Sequence, residues 1–600
     1  MTDIPKYQMV SSKEALAKVV KQCVAEGATA LDFETTSLSP KKGRVRLVSL
    51  CNDRVHALVD FDQIRGGFNA TAKLFKDGEW IVFNRGFEQR WFNHAGSPNT
   101  RCRDVGNLRK AIIGGGNYRL AQLLKWDLDI PMDKTEQTSN WAAEQLTQSQ
   151  LDYAYLDADR TWKLWRYWAE QADAGHWRGF AMFDNMVPAV IEMEEAGVLL
   201  DKKHHRRLVD HWISIKEEKV RVLRELVGED EVALLTSGAQ WSDYFARTLP
   251  DHFVDGWPRT EKTGLLSTTR DTLKKLAGTV PGTPLETCFD TLADYKTISK
   301  YISSFGDSLI VTAEASPDNR IRARFNIGAA KTGRFSSSGP NLQQVPRDKD
   351  LLGEHTSVRQ SFVAGIGRKL VSLDYSGIEL RVLALLSNDD QLLQDMVDGD
   401  IHSEVAAKIA GHKIDKKTPE GKALRSAAKG VSFGIIYGSG AAGLAVNMRT
   451  TISLAQGYID FWQDRYPNAF NLRFDMLVEA SRTKRIRCVD GGTIYMGKNP
   501  ELPRLSNFPV QRAALSIMAQ ALIRHKNSLD TERAEKRQRM TQMIATIHDA
   551  IIDEAATGDC VRLLEIMEED MTQGYLDVFP GAPIDNLVEG GVGPNWGELD

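Results

Sequence analysis

Between residues 321 and 556, short β-type runs stand on both sides of a long stretch of helical pattern. IRARFNI and RKLVSLDYS precede it, MIATIHDAIIDEAA follows it, and the residues from about 390 to 535 between them are mostly helical in spacing. A chain that must complete one sheet across such an insertion folds as α+β. The N-terminal part is built differently. ALDFE, VRLVSLC and VHALVD read as three successive strands, WIVFN at 80 to 84 as a further one, and residues 105 to 172 turn to helical spacing in LAQLLKW and LDYAYLDADRTWKLWRYWAE. This predicts an α/β unit ending near residue 175. Residues 184 to 315 carry long charged helical patterns broken by GTVPGTP at 278 to 284, which suits an extended helical arm.

Composition narrows the function classes. Six hundred residues predict about four structural units, and no repeat or low-complexity tract points to a solenoid. Lys plus Arg number 76 against 80 Asp plus Glu, so no global positive field exists and contact with an acidic partner must come from local clusters. The six cysteines are too scattered for a zinc site or a disulfide scaffold, which predicts a reduced, intracellular chain. No apolar run reaches membrane-spanning length and MTDIPKYQ is not a secretory signal, so membrane and export roles drop out.

Asp32 and Glu34 alternate on the first strand, so both carboxylates project to one side. Alone, such a pair is more often two solvated acids at a strand end. Tyr153 and Asp157, four apart on a helix, share a face. With Asn84 and Glu88 in NRGFEQRWF, the set resembles the three motifs of the 3′-to-5′ exonucleases of the ribonuclease-H-like fold. The resemblance implies that Asp32, Glu34 and Asp157 hold two Mg²⁺ ions, with Glu88 as a further ligand, and that Tyr153 orients the attacking water. Phosphodiester hydrolysis needs that water and charge compensation on both oxygens. The family normally supplies Asp where this chain has Glu88, a shift of on the order of an ångström in carboxylate position. A structural exonuclease domain with weakened chemistry is the alternative.

Four C-terminal segments carry more. KTGRFSSSGPNLQQVPR at 331 to 347 is polar, and Asn319 to Arg347 contains six basic residues and no acid. It reads either as a cationic loop or as a set in which Arg334, Asn341 and Gln343 contact duplex backbone and minor-groove acceptors. LVSLDYSGIELRVLALLS delivers Asp374 on an apolar strand and continues into a helix bearing Glu379 and Arg381, and an acid in that position needs a partner such as a cation. Arg425, Lys429, Phe433 and Tyr437 recur every four residues, a slowly drifting stripe on one helix. Two cations followed by two aromatics suit a triphosphate and a nucleoside; an amphipathic helix with both rings in the core is the plain reading. MIATIHDAIIDEAA predicts a hairpin with His548 and Asp549 at its tip. Asp374 and Asp549 are 175 residues apart, and spacing does not show that they meet.

In this order the blocks closely resemble the family A DNA polymerases, the group of bacterial DNA polymerase I and several phage replicases. The match runs through T-G-R-F-S-S with P-N-L-Q, D-Y-S-x-I-E-L-R, R-x-x-x-K-x-x-x-F-G-x-x-Y-G and I-H-D, with D-I-H at 400 to 402, N-x-P-x-Q at 507 to 511 and G-P-N-W at 593 to 596. It implies a right-hand polymerase behind the exonuclease domain: residues 1–175 exonuclease, 176–320 thumb, 321–395 first part of the palm, 396–535 fingers and 536–600 second part of the palm. It further implies that Asp374 and Asp549 bind two Mg²⁺, with Mn²⁺ as a substitute. His402, Arg425 and Lys429 would neutralise the phosphates, Lys429 as general acid; Phe433 and Tyr437 would line the nascent pair, and Glu379 would block a ribose 2′-hydroxyl. Arg334, Asn341, Gln343, Asn507, Gln511 and His548 would read the minor-groove side of the primer terminus. The implied partners are primer-template DNA and dNTPs, and the implied location is the cytoplasm, that of the host if phage-encoded.

Departures stand beside the match. Ala550 replaces the glutamate that usually ends His-Asp-Glu, Gly377 stands where Gln is common, and RAALS follows Gln511 where G-T-A-A-D is common. Asp32 comes almost at once, leaving no room ahead of it for the 5′-nuclease of full-length bacterial DNA polymerase I, which favours a phage-type replicase. No processivity partner or base preference is legible. A single-subunit RNA polymerase is the nearest rival, disfavoured by Glu379, Phe433 and the exonuclease motifs; a nuclease or DNA-binding protein with an inactive polymerase fold is the other.

Overall fold

The computed structural model describes residues 6–228, 237–346, 349–351, 354–398, 401–415, 417–448, 450–535 and 541–599. Its N-terminal unit is a six-stranded mixed sheet in the order Gln8–Val10, His56–Asp60, Val45–Cys51, Ala28–Thr35, Glu79–Val82, Arg101–Asp104. The three middle strands are mutually antiparallel, as a meander with short turns must be, and the flanking strands pair in parallel. Val45–Cys51 is buried at every position, its Arg46 paired with Asp60 and Asp62 and its Ser49 bonded to the helix above, as a strand with both faces covered requires. The helix Gln148–Gln171 starts at a capping box of Thr147 with Gln150 and packs on this sheet. The Ser49 hydroxyl donates to the Ala154 carbonyl at 2.7 Å, fixing the helix's height over the strand that neighbours Asp32.

The helices Ala174–Asn185 and Val187–Ala196 stay with the body, contrary to their expected place in the arm. Arg85 reaches Asp184 at 2.7 Å, Arg90 pairs with Glu194, and Glu192 pairs with Arg533, so they rivet the first unit to the second. The arm leaves at Lys202: Lys202–Val227 and Pro284–Phe305 run together, and a separate core of Trp241, Phe245, Trp257 and Phe289 fills its far end. Its second long helix begins at Pro284, where the Gly/Pro stretch ends.

The second sheet is antiparallel, in the order Gln542–Ile547, Ala550–Ala556, Arg368–Tyr375, Val588–Gly593. The strands on either side of the long helical stretch do meet. That stretch is not uniform, since a hairpin of Arg485–Arg487 with Thr493–Tyr495 interrupts it. Its last helix, Leu502–Ala534, packs with its first turns on Pro467–Thr483 and then lies along Cys560–Val578 behind the sheet. The two units are also clasped by main chain. Gly115 N–H donates to Lys331 O at 2.9 Å and Gly116 N–H to Gly328 O at 2.7 Å, while a Cβ on Gly115 would meet Ala330 O at 1.9 Å. Among the described residues no helix is long and apolar enough to cross a membrane.

His525 is fully buried on Leu502–Ala534, with Nδ1 2.9 Å from Asp570 and Nε2 2.8 Å from Asp553. Burial pulls the imidazolium down, but the two carboxylates outweigh it and push the ring up to about 9. A raised histidine contributes stability that is complete below its unfolded value near 6.5 and is lost as pH rises through 9. His525→Gln is therefore expected to cost about 3 kcal/mol near pH 6. The gap from the parent should narrow above pH 9, as read by urea unfolding at the two pH values.

Candidate active sites

The first site sits where the strand Ala28–Thr35 faces the helix Gln148–Gln171. Asp32, Glu34 and Asp157 each bring one carboxylate oxygen within 4.8 Å of the others. Burial drives Asp32 and Glu34 well above the usual carboxylate range and their mutual repulsion with Asp157 adds to it, while Lys134 opposes. Asp157 is raised too, burial outweighing its contacts with Lys134 and Tyr153. Three crowded, desolvated acids with one lysine are a donor set that fits a divalent cation. Burial, then the charges of Asp157, Glu34 and Asp32, push the Tyr153 hydroxyl up, so it stays a phenol.

Glu88 stands beside this group rather than within it. Its helix Arg85–His94 opens on Asn84, whose φ of 75° is left-handed. The Glu88 carboxyl is raised by burial first and then by the charge of Asp32, and its Oε2 has no hydrogen-bond partner. The ammonium of Lys134 lies 3.1 Å from the Tyr153 hydroxyl and 3.4 Å from both Asp157 oxygens. Sequence reasoning missed it: residues 129–139 have no long regular element and no apolar period to mark it.

The second site gathers at the end of the central strand Arg368–Tyr375 of the antiparallel sheet, beside the hairpin turn of its neighbour. Asp374 is opposite Ala550 in register, and Tyr375 N–H donates to Asp549 O at 3.2 Å, so the two distant acids end on adjacent strands. Asp549 is pushed up to about 7, by burial first; Arg334 pulls it down, and Asp374 and Glu379 push it further up. His548, with φ of 56°, makes the two-residue turn possible. Gln343 braces the tip: its Nε2 donates to Thr546 O at 2.7 Å and its Oε1 accepts from His548 N–H at 2.8 Å. Asn341 Oδ1 accepts from Gln343 N–H at 3.1 Å, capping the short turn that carries Gln343.

Glu379 is buried on the helix Ile378–Ser387, with one oxygen paired to Arg334 and the other accepting from the Tyr437 hydroxyl. That bond ties the end of the helix Pro419–Ile436 to the helix that follows the strand of Asp374. The helix begins at Thr418, whose hydroxyl accepts from Gly421 N–H at 3.0 Å. Phe433 and Tyr437 stand 5.8 Å apart, the His402 ring is 6.1 Å from Phe433, and the Lys429 ammonium is 5.9 Å from the Phe433 ring centre. Arg425 lies two turns before Phe433, about 12 Å along the helix. Asn507 and Gln511 share a face of Leu502–Ala534. The groove beside Asp549 is lined by Arg334, Gln343 and His548, by Phe335 of the G-R-F-S-S block and Leu515 of RAALS, and also by Met518, which no motif had marked. Asp400 of the D-I-H block and Arg347 lie outside the described residues.

A model of the 3′-5′ exonuclease matches residues 7–172, and one of DNA polymerase family A matches residues 211–598. DNA polymerase I of Pseudomonas aeruginosa is 28% identical over 493 residues, covering 77% of this chain and 50% of that protein. The thermostable DNA polymerase I of Thermus aquaticus is 30% identical over 427 residues, covering 67% and 46%. The chain thus spans about half the length of the curated relatives it matches. A solved POL domain of Pol1 from M. smegmatis, in complex with DNA primer-template and dNTP, superposes with a TM-score of 0.80 at 20% identity over 98% of this chain and 99% of that one. The same right-hand fold and N-terminal ribonuclease-H-like unit are therefore shared, and the chain belongs to DNA polymerase family A, with a 3′-5′ exonuclease domain over residues 7–172.

Proposed function

We propose that this chain is a template-directed DNA polymerase that adds dNTPs to a primer 3′-hydroxyl by two-metal catalysis and removes nucleotides by 3′-to-5′ hydrolysis. The observation that carries the reading is the meeting of Asp374 and Asp549 on adjacent strands beside Glu379 and Arg334. Asp374 and Asp549 would hold the polymerase cations; Asp32, Glu34 and Asp157, with Glu88 next to them, would hold those of the nuclease. Mg²⁺ bound there, or Mn²⁺ in its place, supplies charge compensation at the phosphoryl oxygens. In this reading the sheet and its backing helices are the palm, the helices between about 390 and 483 the fingers, and the arm from Lys202 the thumb.

The chain's own groups divide the remaining work. Arg425, Lys429 and His402 take the triphosphate, and Lys429 gives a proton to the departing pyrophosphate. Phe433 and Tyr437 pack the new base pair. Glu379, held by Arg334 and Tyr437, cannot swing aside, so it fills the space a 2′-hydroxyl needs and favours deoxynucleotides. Arg334, Asn341, Asn507, Gln511 and His548 take the minor-groove side of the primer end, while Gln343 serves the hairpin tip first. In this reading the chain works in the cytoplasm, where its six free cysteines stay reduced.

Primer extension tests the reading. Lengthening with dNTPs and little with rNTPs alone is expected; efficient extension with rNTPs, or none with dNTPs, overturns it. For the nuclease, Glu88→Ala is expected to lower the rate by about 10- to 100-fold, while Glu88→Asp retains or raises it. A complete loss in Glu88→Asp, read on 3′-labelled single strands, would mean that the longer acid is built into the site.

A further inference from the structure

The reading above leaves Lys134 without a task, although its ammonium touches two members of the nuclease site. It precedes the short turn Thr135–Thr138, reaches the Tyr153 hydroxyl at 3.1 Å and both Asp157 oxygens at 3.4 Å, and stands 5.2 Å from the centre of the Tyr153 ring. Trp141 packs on the same ring with centres 6.2 Å apart, so the phenol is held from more than one side.

An ammonium has three hydrogens and no lone pair. When it donates to the Tyr153 oxygen, it occupies lone-pair space that a water would otherwise use and favours the phenol's own hydrogen turning to another oxygen, which in the metal-free chain is that of Asp157. A phenol without such a neighbour exchanges freely between donating and accepting. A water aligned on a phosphodiester needs one orientation.

We propose that Lys134 is a positioning residue of the nuclease: by donating to Tyr153 and Asp157 together, it fixes the tyrosine hydroxyl as a donor aimed at the water that attacks the terminal phosphodiester. The role rests on the 3′-to-5′ hydrolysis proposed above. In that step a water oxygen bonds to phosphorus, the P–O3′ bond breaks with its electron pair left on O3′, which takes a proton from solvent to become the new 3′-hydroxyl, and the attacking water's proton passes to solvent. Lys134 neither gives nor takes a proton; it acts through Tyr153.

The test uses the full chain on 3′-labelled single-stranded DNA with Mg²⁺. Lys134→Met is expected to lower kcat by about 10- to 100-fold with KM within about 3-fold, and Lys134→Arg to recover most of the loss. In a Tyr153→Phe background, Lys134→Met should cost no more than about 2-fold, because the group it orients is gone. Calorimetric binding of Mn²⁺ alone to the metal-free chain, with Asp374 and Asp549 both replaced by Asn, should be no weaker after Lys134→Met, because the ammonium competes with the cation for the same acids. An unchanged kcat, a full further loss in the Tyr153→Phe background, or lost Mn²⁺ binding overturns the proposal. A parent chain that releases no nucleotide overturns the nuclease reading itself, and this role falls with it.

Discussion

Asp549→Asn is expected to cut dNTP incorporation by about 10³-fold or more, and Asp374→Ala to be as severe, with primer-template affinity within a few-fold of the parent. The asparagine keeps the shape of the side chain and removes only its charge. The bonds that place the hairpin do not use that charge: Tyr375 N–H meets the Asp549 main-chain oxygen, and Gln343 holds Thr546 and His548 through main-chain groups. The loss therefore reads on chemistry and not on folding. A second readout has the opposite sign. Asp549 keeps its proton up to about 7 in the folded, metal-free chain but only to 3.8 when unfolded, so the parent loses stability as pH rises from about 4 to 7. Asparagine has no proton to lose, so without divalent ions the variant should melt above the parent at pH 7 and level with it near pH 4. Single-nucleotide incorporation, filter binding and two melting curves check this; a variant that incorporates at the parental rate removes Asp549 from the reaction.

What could be read before the fold was known was local. Arg425, Lys429 and Phe433 lie on one helix that ends at Tyr437, and the His548–Asp549 turn is one hairpin, so local spacing was enough to give these elements. The partners of Glu379 were not legible, because Arg334 and Tyr437 come from a loop and a helix end that only the tertiary fold brings to it. Strand Val588–Gly593 escaped because VEGGVG has three glycines and little β propensity. It forms because the open edge of Arg368–Tyr375 supplies its partners, in register from Leu370 to Tyr375. The hairpin at 485–495 was absorbed into the helical stretch for a similar reason, since three-residue strands are too short to show a period. The approach of Asp374 to Asp549 followed only from resemblance to a family; the register of the sheet is its physical cause.

Asp32→Ala combined with Glu34→Ala is expected to reduce 3′-to-5′ removal by about 10³-fold or more while leaving primer extension within about 2-fold. The two acids share one strand face with Asp157 opposite them, and a single remaining carboxylate does not make a divalent site. Synthesis should persist because Asp374 and Asp549 are on another sheet with its own backing helices, and the clasp between the units runs through Gly115, Gly116, Lys331 and Gly328, none of which touches Asp32 or Glu34. The pair also strains the free fold: burial and mutual repulsion hold both carboxyls well above their unfolded values, so each costs stability once pH has passed the unfolded value. The double variant should thus melt higher than the parent at neutral pH in EDTA, the reverse of what an ordinary core disruption does. Undiminished shortening of a 3′-labelled strand would place the cutting elsewhere in the chain, and a matching loss of synthesis would show that the two sites are not separable.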